Sequence, residues 1–205
     1  MDPIWAFLRG LAIGLAIAAA IGPIGLLCIR RTLVDGAAVG VASGLGAATA
    51  DGLYASVAAF GLTAAADMLV GARRPLGVVG GCFLVALAIH SFVGRRPEAA
   101  TDRPRRSLAS AYATTVGLTI ANPATILSFV AAFVGLGLAG HDTVTAGALV
   151  LGVFAGSATW WVILALAVST FREKLGPAAM RRLTSGSAIL IGLLGCAAIG
   201  ASLVA

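Results

Sequence analysis

The sequence predicts an all-α polytopic membrane protein: six transmembrane helices in two inverted three-helix repeats, with helices one and four broken at Gly-Pro and Asn-Pro. Three observations carry this. Hydrophobic residues make up 60% of the 205-residue chain and charged ones 11%, at a mean hydropathy of +1.02, more apolar surface than a soluble domain of this size covers. The apolar residues fall in six long runs separated by short charged loops, the pattern of successive helical spans. Two of those runs hold a proline deep inside, after Gly22 in the first and after Asn122 in the fourth. Proline lacks a backbone donor and clashes with the preceding turn, so each helix must bend or unwind there. In lipid such a break survives only where other protein or a water-filled cavity satisfies the freed carbonyls.

The first run, Ile4 to Ile29, is interrupted by Arg9 and carries Gly22-Pro23 in its second half; Trp5 near its start suits an interfacial anchor. Gly36 to Ala66 follows, with Asp51 at its centre, and then Leu76 to Gly94, which contains His90. Ser107 to Gly140 exceeds one perpendicular span of about 20 residues, and Asn122-Pro123 near its middle predicts a kinked or partly re-entrant segment. Thr143 to Thr170 and Leu183 to the C-terminus complete the six. Met1-Asp2-Pro3 lacks the basic region of a cleavable signal peptide. Cys28, Cys82 and Cys196 lie far apart in apolar runs without metal-ligand spacing, so they are read as packing residues, with neither disulfides nor metal expected.

The formal charge of +6 does not point to nucleic acid, because the basic residues cluster between apolar runs. Counted by side, eleven Lys and Arg follow helices one, three and five, from Arg30 and Arg31 to Arg182, against only Arg9, Arg73 and Arg74 opposite. The positive-inside rule then puts the odd loops in the cytoplasm and both termini outside. The Arg95–Arg106 stretch, with two prolines and mixed charge, reads as a flexible cytoplasmic linker. It separates a first repeat, 1–94, from a second, 107–205. Gly22-Pro23 matches Asn122-Pro123 at an offset of 100; beyond a longer connection Gly44 falls on Gly152 and Arg73-Arg74 on Arg181-Arg182. Three helices per half is an odd number, so the second copy inserts upside down.

Small residues recur at i+4: Gly10, Gly14, Ala18 and Gly22; Gly36, Gly40, Gly44, Ala48 and Gly52; Ala148, Gly152 and Gly156. Such ridges let helices approach closely in lipid, and packing accounts for most of them.

Asp51 is the sharpest signal for chemistry. A carboxylate at mid-membrane costs roughly 2.5–3.5 kcal/mol on the insertion scale unless it is paired, hydrated or protonated, and so marks function by default. Gly44, Ala47, Ala48, Tyr54 and Ala55 share its face, which places it toward other helices. Its candidate roles are proton acceptor or counter-ion to a substrate ammonium group; a structural hydrogen bond is the plain alternative. Paired breaks in matching halves are the mark of a transporter's central site. Asn122 and the carbonyls freed around Pro23 and Pro123 are candidates for the charged ends of an amino acid, with helix ends adding partial charges. Tyr54, Ser128 and Trp160 are further candidates, each equally readable as a packing or intrahelical partner, and Trp161 is an alternative to Trp160 as the cavity-lining ring. Arg30 and Arg31 could attract a carboxylate in a cytoplasmic vestibule or simply anchor the orientation. His90 reads as a packing histidine.

Two other classes compete. An intramembrane aspartyl protease needs two carboxylates sharing a proton, but Asp67 is at a helix end and Asp142 in a loop. A serine hydrolase needs a serine–base pair, and no nucleophile turn frames Ser43. A non-transporting subunit that packs against a partner needs neither Asp51 nor the breaks. No catalytic residue and no cofactor is expected.

Taken together, the run from Gly22-Pro23 through Arg30-Arg31-Thr32-Leu33, then Gly44-x-Gly46 with Asp51, then Asn122-Pro123 with Thr125-Ile126-Leu127, resembles the LysE/RhtB amino-acid exporters over nearly the whole chain. The resemblance implies a bacterial cytoplasmic-membrane protein that exports amino acids or related small metabolites by proton exchange, with membrane lipid around it and a homo-oligomer allowed. Gly22, Pro23, Asp51, Asn122 and Pro123 match the family's characteristic positions. Lysine-exporting relatives carry an acidic residue at the position of Ser128, which implies a neutral amino acid at least as readily as a dibasic one.

Overall fold

A computed structural model of the chain describes residues 2–20, 22–60, 72–93, 107–122, 125–126, 128–129, 132, 142–174 and 177–204. Its elements are helices: α1 Pro3–Ala19, α2 Pro23–Asp35, α3 Ala37–Ala59, α4 Arg73–Val93, α5 Leu108–Ile120, α6 Thr143–Lys174 and α7 Pro177–Val204. The described residues contain no strand.

Local chemistry sets the ends. Asp2 caps α1 by accepting the Ile4 N–H at 2.7 Å, and Pro3 takes the first helical position, where a missing donor costs nothing. Asp142 caps α6 by accepting the N–H groups of Val144 and Thr145 at 3.2 and 3.1 Å. The Thr145 hydroxyl and backbone together hold the Asp142 carboxyl below the usual carboxylate range. Gly36 alone joins α2 to α3 at φ 99°, and it donates back to the Thr32 carbonyl; a side chain there would be strained.

The first apolar run is two helices. α1 ends at Ala19, α2 begins at Pro23, and the two axes meet at 75°. Arg30 and Arg31 therefore belong to the last turns of α2 rather than to a loop. In the fourth run α5 stops at Ile120, Ala121 turns, and the chain is helical again at Thr125. Pro123 lies outside the described residues, as do the 95–106 linker and the side chain of His90.

Among the described residues α6 has a stretch, Thr143–Phe171, long and apolar enough to cross a membrane unaided, and α1 with α2 passes the same test as a bent pair. Helices α3, α4 and α7 have the length, but their many glycines, alanines and polar residues dilute the apolar signal. The surface supplies what composition alone leaves weak. Trp5, Leu151, Ile163, Leu166, Phe171 and Leu193 are all more than half exposed, an apolar exterior suited to lipid.

The small-residue ridges pack as pairs. A Cβ on Gly10 or Gly14 would run into the carbonyl oxygens of Leu149 or Val153, and one on Gly152 or Gly156 into those of Phe7 or Leu11. α1 and α6 thus touch backbone to backbone. α3 sits against both α5 and α6, and α4 pairs with α7. Along α3 the core divides into two apolar clusters, one around Tyr54, Phe129 and Leu149, the other around Ala47, Leu27 and Trp161. Asp51 falls between them. Of the cysteines only Cys28 is buried; Cys82 and Cys196 are free thiols on exposed faces, so the expectation that all three pack inside holds for Cys28 alone.

Candidate functional site

The two helix breaks meet at a cavity of about 50 Å³, lined by Gly22, Ile24 and Gly25 from the first, Thr119, Asn122 and Thr125 from the second, Asp51 from α3 and Trp161 from α6. That is room for a few waters. Ile17, Ala18, Ala20 and Ala47 add the rest of the described wall.

Asp51 is 3% exposed. The Ser157 hydroxyl donates to its Oδ2 at 2.6 Å, and Trp161 Nε1 donates to that hydroxyl at 3.1 Å. The order matters: because the Ser157 oxygen receives the indole N–H, its own proton is directed at Asp51. Ser157 and Trp161 are one turn apart on α6, so a single helix face delivers the whole chain. One carboxylate oxygen is thereby held against α6. Gly44 makes this possible, since a Cβ there would strike the Trp161 side chain.

At the first break, Gly22 has no side chain to cap α2 and Pro23 has no N–H. The first bond of the helix is Leu26 N–H to the Gly22 carbonyl at 3.1 Å, so the N–H groups of Ile24 and Gly25 precede it. These carry the positive end of the helix dipole, and both residues line the cavity. At the second break Asn122 turns the chain: its N–H donates to the Thr119 carbonyl, and its own carbonyl accepts from Thr125 and Ile126. Its side-chain Nδ2 donates to Thr125 Oγ1 at 2.9 Å. Thr119 lines the cavity, and its Oγ1 is buried with no hydrogen-bond partner among the described residues.

The other candidates are placed as follows. Tyr54 donates to the Ile120 carbonyl at 2.6 Å and stacks on Phe129 at 5.7 Å between centroids. It fastens α3 to the end of α5 next to the second break, outside the cavity lining. Ser128 is exposed and likewise outside the lining. Trp161, not Trp160, forms the cavity wall; Trp160 is half-buried against the neighbouring apolar cluster. One residue along a helix is a 100° turn, which is why the two tryptophans face differently.

Arg31 departs most from the sequence reading. It is 3% exposed, and its guanidinium donates to Ser43 Oγ at 2.9 Å, the Ala111 carbonyl at 2.9 Å, Thr115 Oγ1 at 2.7 Å and Thr114 Oγ1 at 2.8 Å. It ties α2 to α3 and α5, one to two turns beyond the cavity lining. Ser43 also donates to the Val39 carbonyl, so this hydroxyl is committed to the helix and to Arg31. Arg30 is half-buried. Among the described residues no group of His, Cys, Asp and Glu could hold a metal ion.

A family model for the LysE type translocator matches residues 15–202, a span that contains both breaks and the described residues lining the cavity. The chain belongs to the LysE type translocator family. It is a membrane transporter, of a family whose members are not enzymes. No curated protein and no solved structure matches the chain. The Asp51 cavity lies where the two interrupted helices meet. Ser157, Thr119 and the Arg31 network were not legible as site features from sequence. Ser157 sits beside the Gly152–Gly156 ridge, where serine reads as packing, and Thr119 resembles any threonine near a helix end.

Proposed function

We propose that this translocator exports amino acids or related small metabolites from the cytoplasm of a bacterial cell, driven by proton exchange, and that the Asp51 cavity is where substrate and proton bind. The observation that carries this reading is the convergence of one buried carboxylate with both helix breaks on one small cavity. An amino acid has an ammonium and a carboxylate a few ångströms apart. Asp51 complements the first, and the uncapped first turn of α2 complements the second. Among the described residues the lining has a carboxylate but no lysine or arginine, which suits a zwitterion better than an anion.

The halves act as inverted repeats in this reading. Support comes from the packing: α1 lies on α6 as α5 lies on α3, while the pairs α3–α6 and α4–α7 each map onto themselves under a two-fold exchange of halves. Rocking one half against the other then exposes the cavity alternately to the two sides. Both termini are outside and the 95–106 linker is cytoplasmic, on the strength of the loop charges.

The test is efflux from proteoliposomes loaded with each of a panel of radiolabelled amino acids, with and without an imposed pH gradient. Gradient-stimulated efflux of at least one is expected. No efflux of any, from protein shown to be folded, would overturn the reading.

A further inference from the structure

Thr119 has no account in the mechanism so far. Threonine and serine hydroxyls inside helices ordinarily donate to the carbonyl one turn back, and Thr32, Ser43, Thr49, Ser56 and Thr115 all do so here. Thr119 is 3% exposed and does not: its Oγ1 is the buried hydroxyl left without a partner among the described residues. Leaving such a group unsatisfied is unfavourable, and an unpartnered buried polar atom in a native structure calls for a ligand, a water or a function. Thr119 lines the same cavity of about 50 Å³ as Asp51.

We propose that Thr119 is a substrate ligand, its hydroxyl accepting a hydrogen bond from the substrate's ammonium group beside Asp51. The inference rests on the amino-acid reading of the cavity. An ammonium group has three donors, whereas Ser157 already occupies Oδ2 of Asp51. A hydroxyl on the facing helix supplies a further acceptor. The site then spans both halves of the chain: Asp51 on α3 holds the charge, and Thr119 at the end of α5 fixes the direction of the head group.

Thr119→Val is nearly isosteric and removes the hydroxyl; Thr119→Ala is a second variant should packing of the valine fail, and Thr119→Ser keeps the hydroxyl. The measurement is KM for efflux of the best-transported radiolabelled amino acid of the panel, together with the thermal unfolding temperature in detergent. A ligand role predicts KM raised on the order of tenfold to a hundredfold in the valine and alanine variants, near wild type in the serine variant, with the valine variant unfolding at or above the wild-type temperature because a buried orphan has gone. If the valine and alanine variants transport with wild-type KM, Thr119 is satisfied by water alone and the proposal is wrong, while the amino-acid reading stands. If wild-type protein transports no amino acid, both fall together.

Discussion

Ser157 Oγ donates to Asp51 Oδ2 at 2.6 Å across the interface of α3 and α6. The two residues are 106 positions apart and come from opposite halves of the chain. The buried Asp51 carboxylate is therefore aimed by the other half, and Trp161 sets the direction of the bond by donating to the serine. Ser157→Ala should leave the fold intact, since the side chain is small and the helix continuous, but should let Asp51 swing. A hydrogen bond to a charged group is worth about 1.5–3 kcal/mol, so transport at subsaturating substrate should fall roughly tenfold or more. Ser157→Thr should retain most of the rate. Initial rates in vesicles, normalised to folded protein, decide it.

The crossing of α1 and α6 makes a stability prediction. Gly14→Ala and Gly156→Ala each place a methyl against a backbone carbonyl, of Val153 and Leu11 respectively, and backbone does not yield as a side-chain tip does. Overpacking of this kind costs about 1–3 kcal/mol. Gly147→Ala and Gly117→Ala meet nothing within 4 Å and should be neutral or stabilising by up to about 1 kcal/mol. Thermal unfolding in detergent separates the two pairs; equal behaviour of all four would remove the close-packed seam from the account.

Arg31→Lys keeps the charge and loses the planar fork. One ammonium cannot reach four acceptors spread over Ser43, Ala111, Thr114 and Thr115. The variant should lose at least the roughly 1.5–3 kcal/mol of a single charge-assisted bond, seen as a lowered unfolding temperature. Unchanged stability would mean that the network does not hold α5 in place.

Asp142 gives a prediction in pH. Its carboxyl is held below the usual range by hydrogen bonds from Thr145, first from the hydroxyl and then from the backbone. A depressed carboxylate contributes stability that is present above its unfolded value, about 3.9, and is lost as pH falls through its folded value. The gap in unfolding temperature between wild type and Asp142→Ala should therefore be open at neutral pH and narrow below about pH 4. A gap that widens on acidification contradicts the cap.

How legible each residue is in the sequence follows from how strongly it violates its surroundings. A proline inside an apolar run and a carboxylate at its centre are both intolerable in lipid without a local reason, so Gly22-Pro23, Asn122 and Asp51 stand out from the order of residues alone. The glycine ridges are legible for the converse reason, a period that only close helix contact uses. Arg31 is not, because charge counting treats an arginine at the end of an apolar run as loop, and the groups that let α2 continue through it lie 12 to 84 residues away. Choosing between Trp160 and Trp161 turns on a single 100° step that periodicity in a helix apolar on every side does not resolve. Serine and threonine are the hardest to read, since a hydroxyl bonded to its own helix and one aimed at a cavity look the same in sequence.

The central claim is that Asp51 couples proton and substrate in the cavity between the breaks. Asp51→Asn keeps the volume and can still accept from Ser157, so folding should survive. The measurement is the initial rate of radiolabelled amino-acid efflux from proteoliposomes under an imposed pH gradient, wild type against Asp51→Asn, with substrate–substrate exchange recorded on the same vesicles. Gradient-driven efflux should be abolished in the variant. Retained exchange assigns Asp51 to the proton, and lost exchange assigns it to the substrate. Efflux at the wild-type rate across the same gradient would make Asp51 a structural partner of Ser157 and contradict the account.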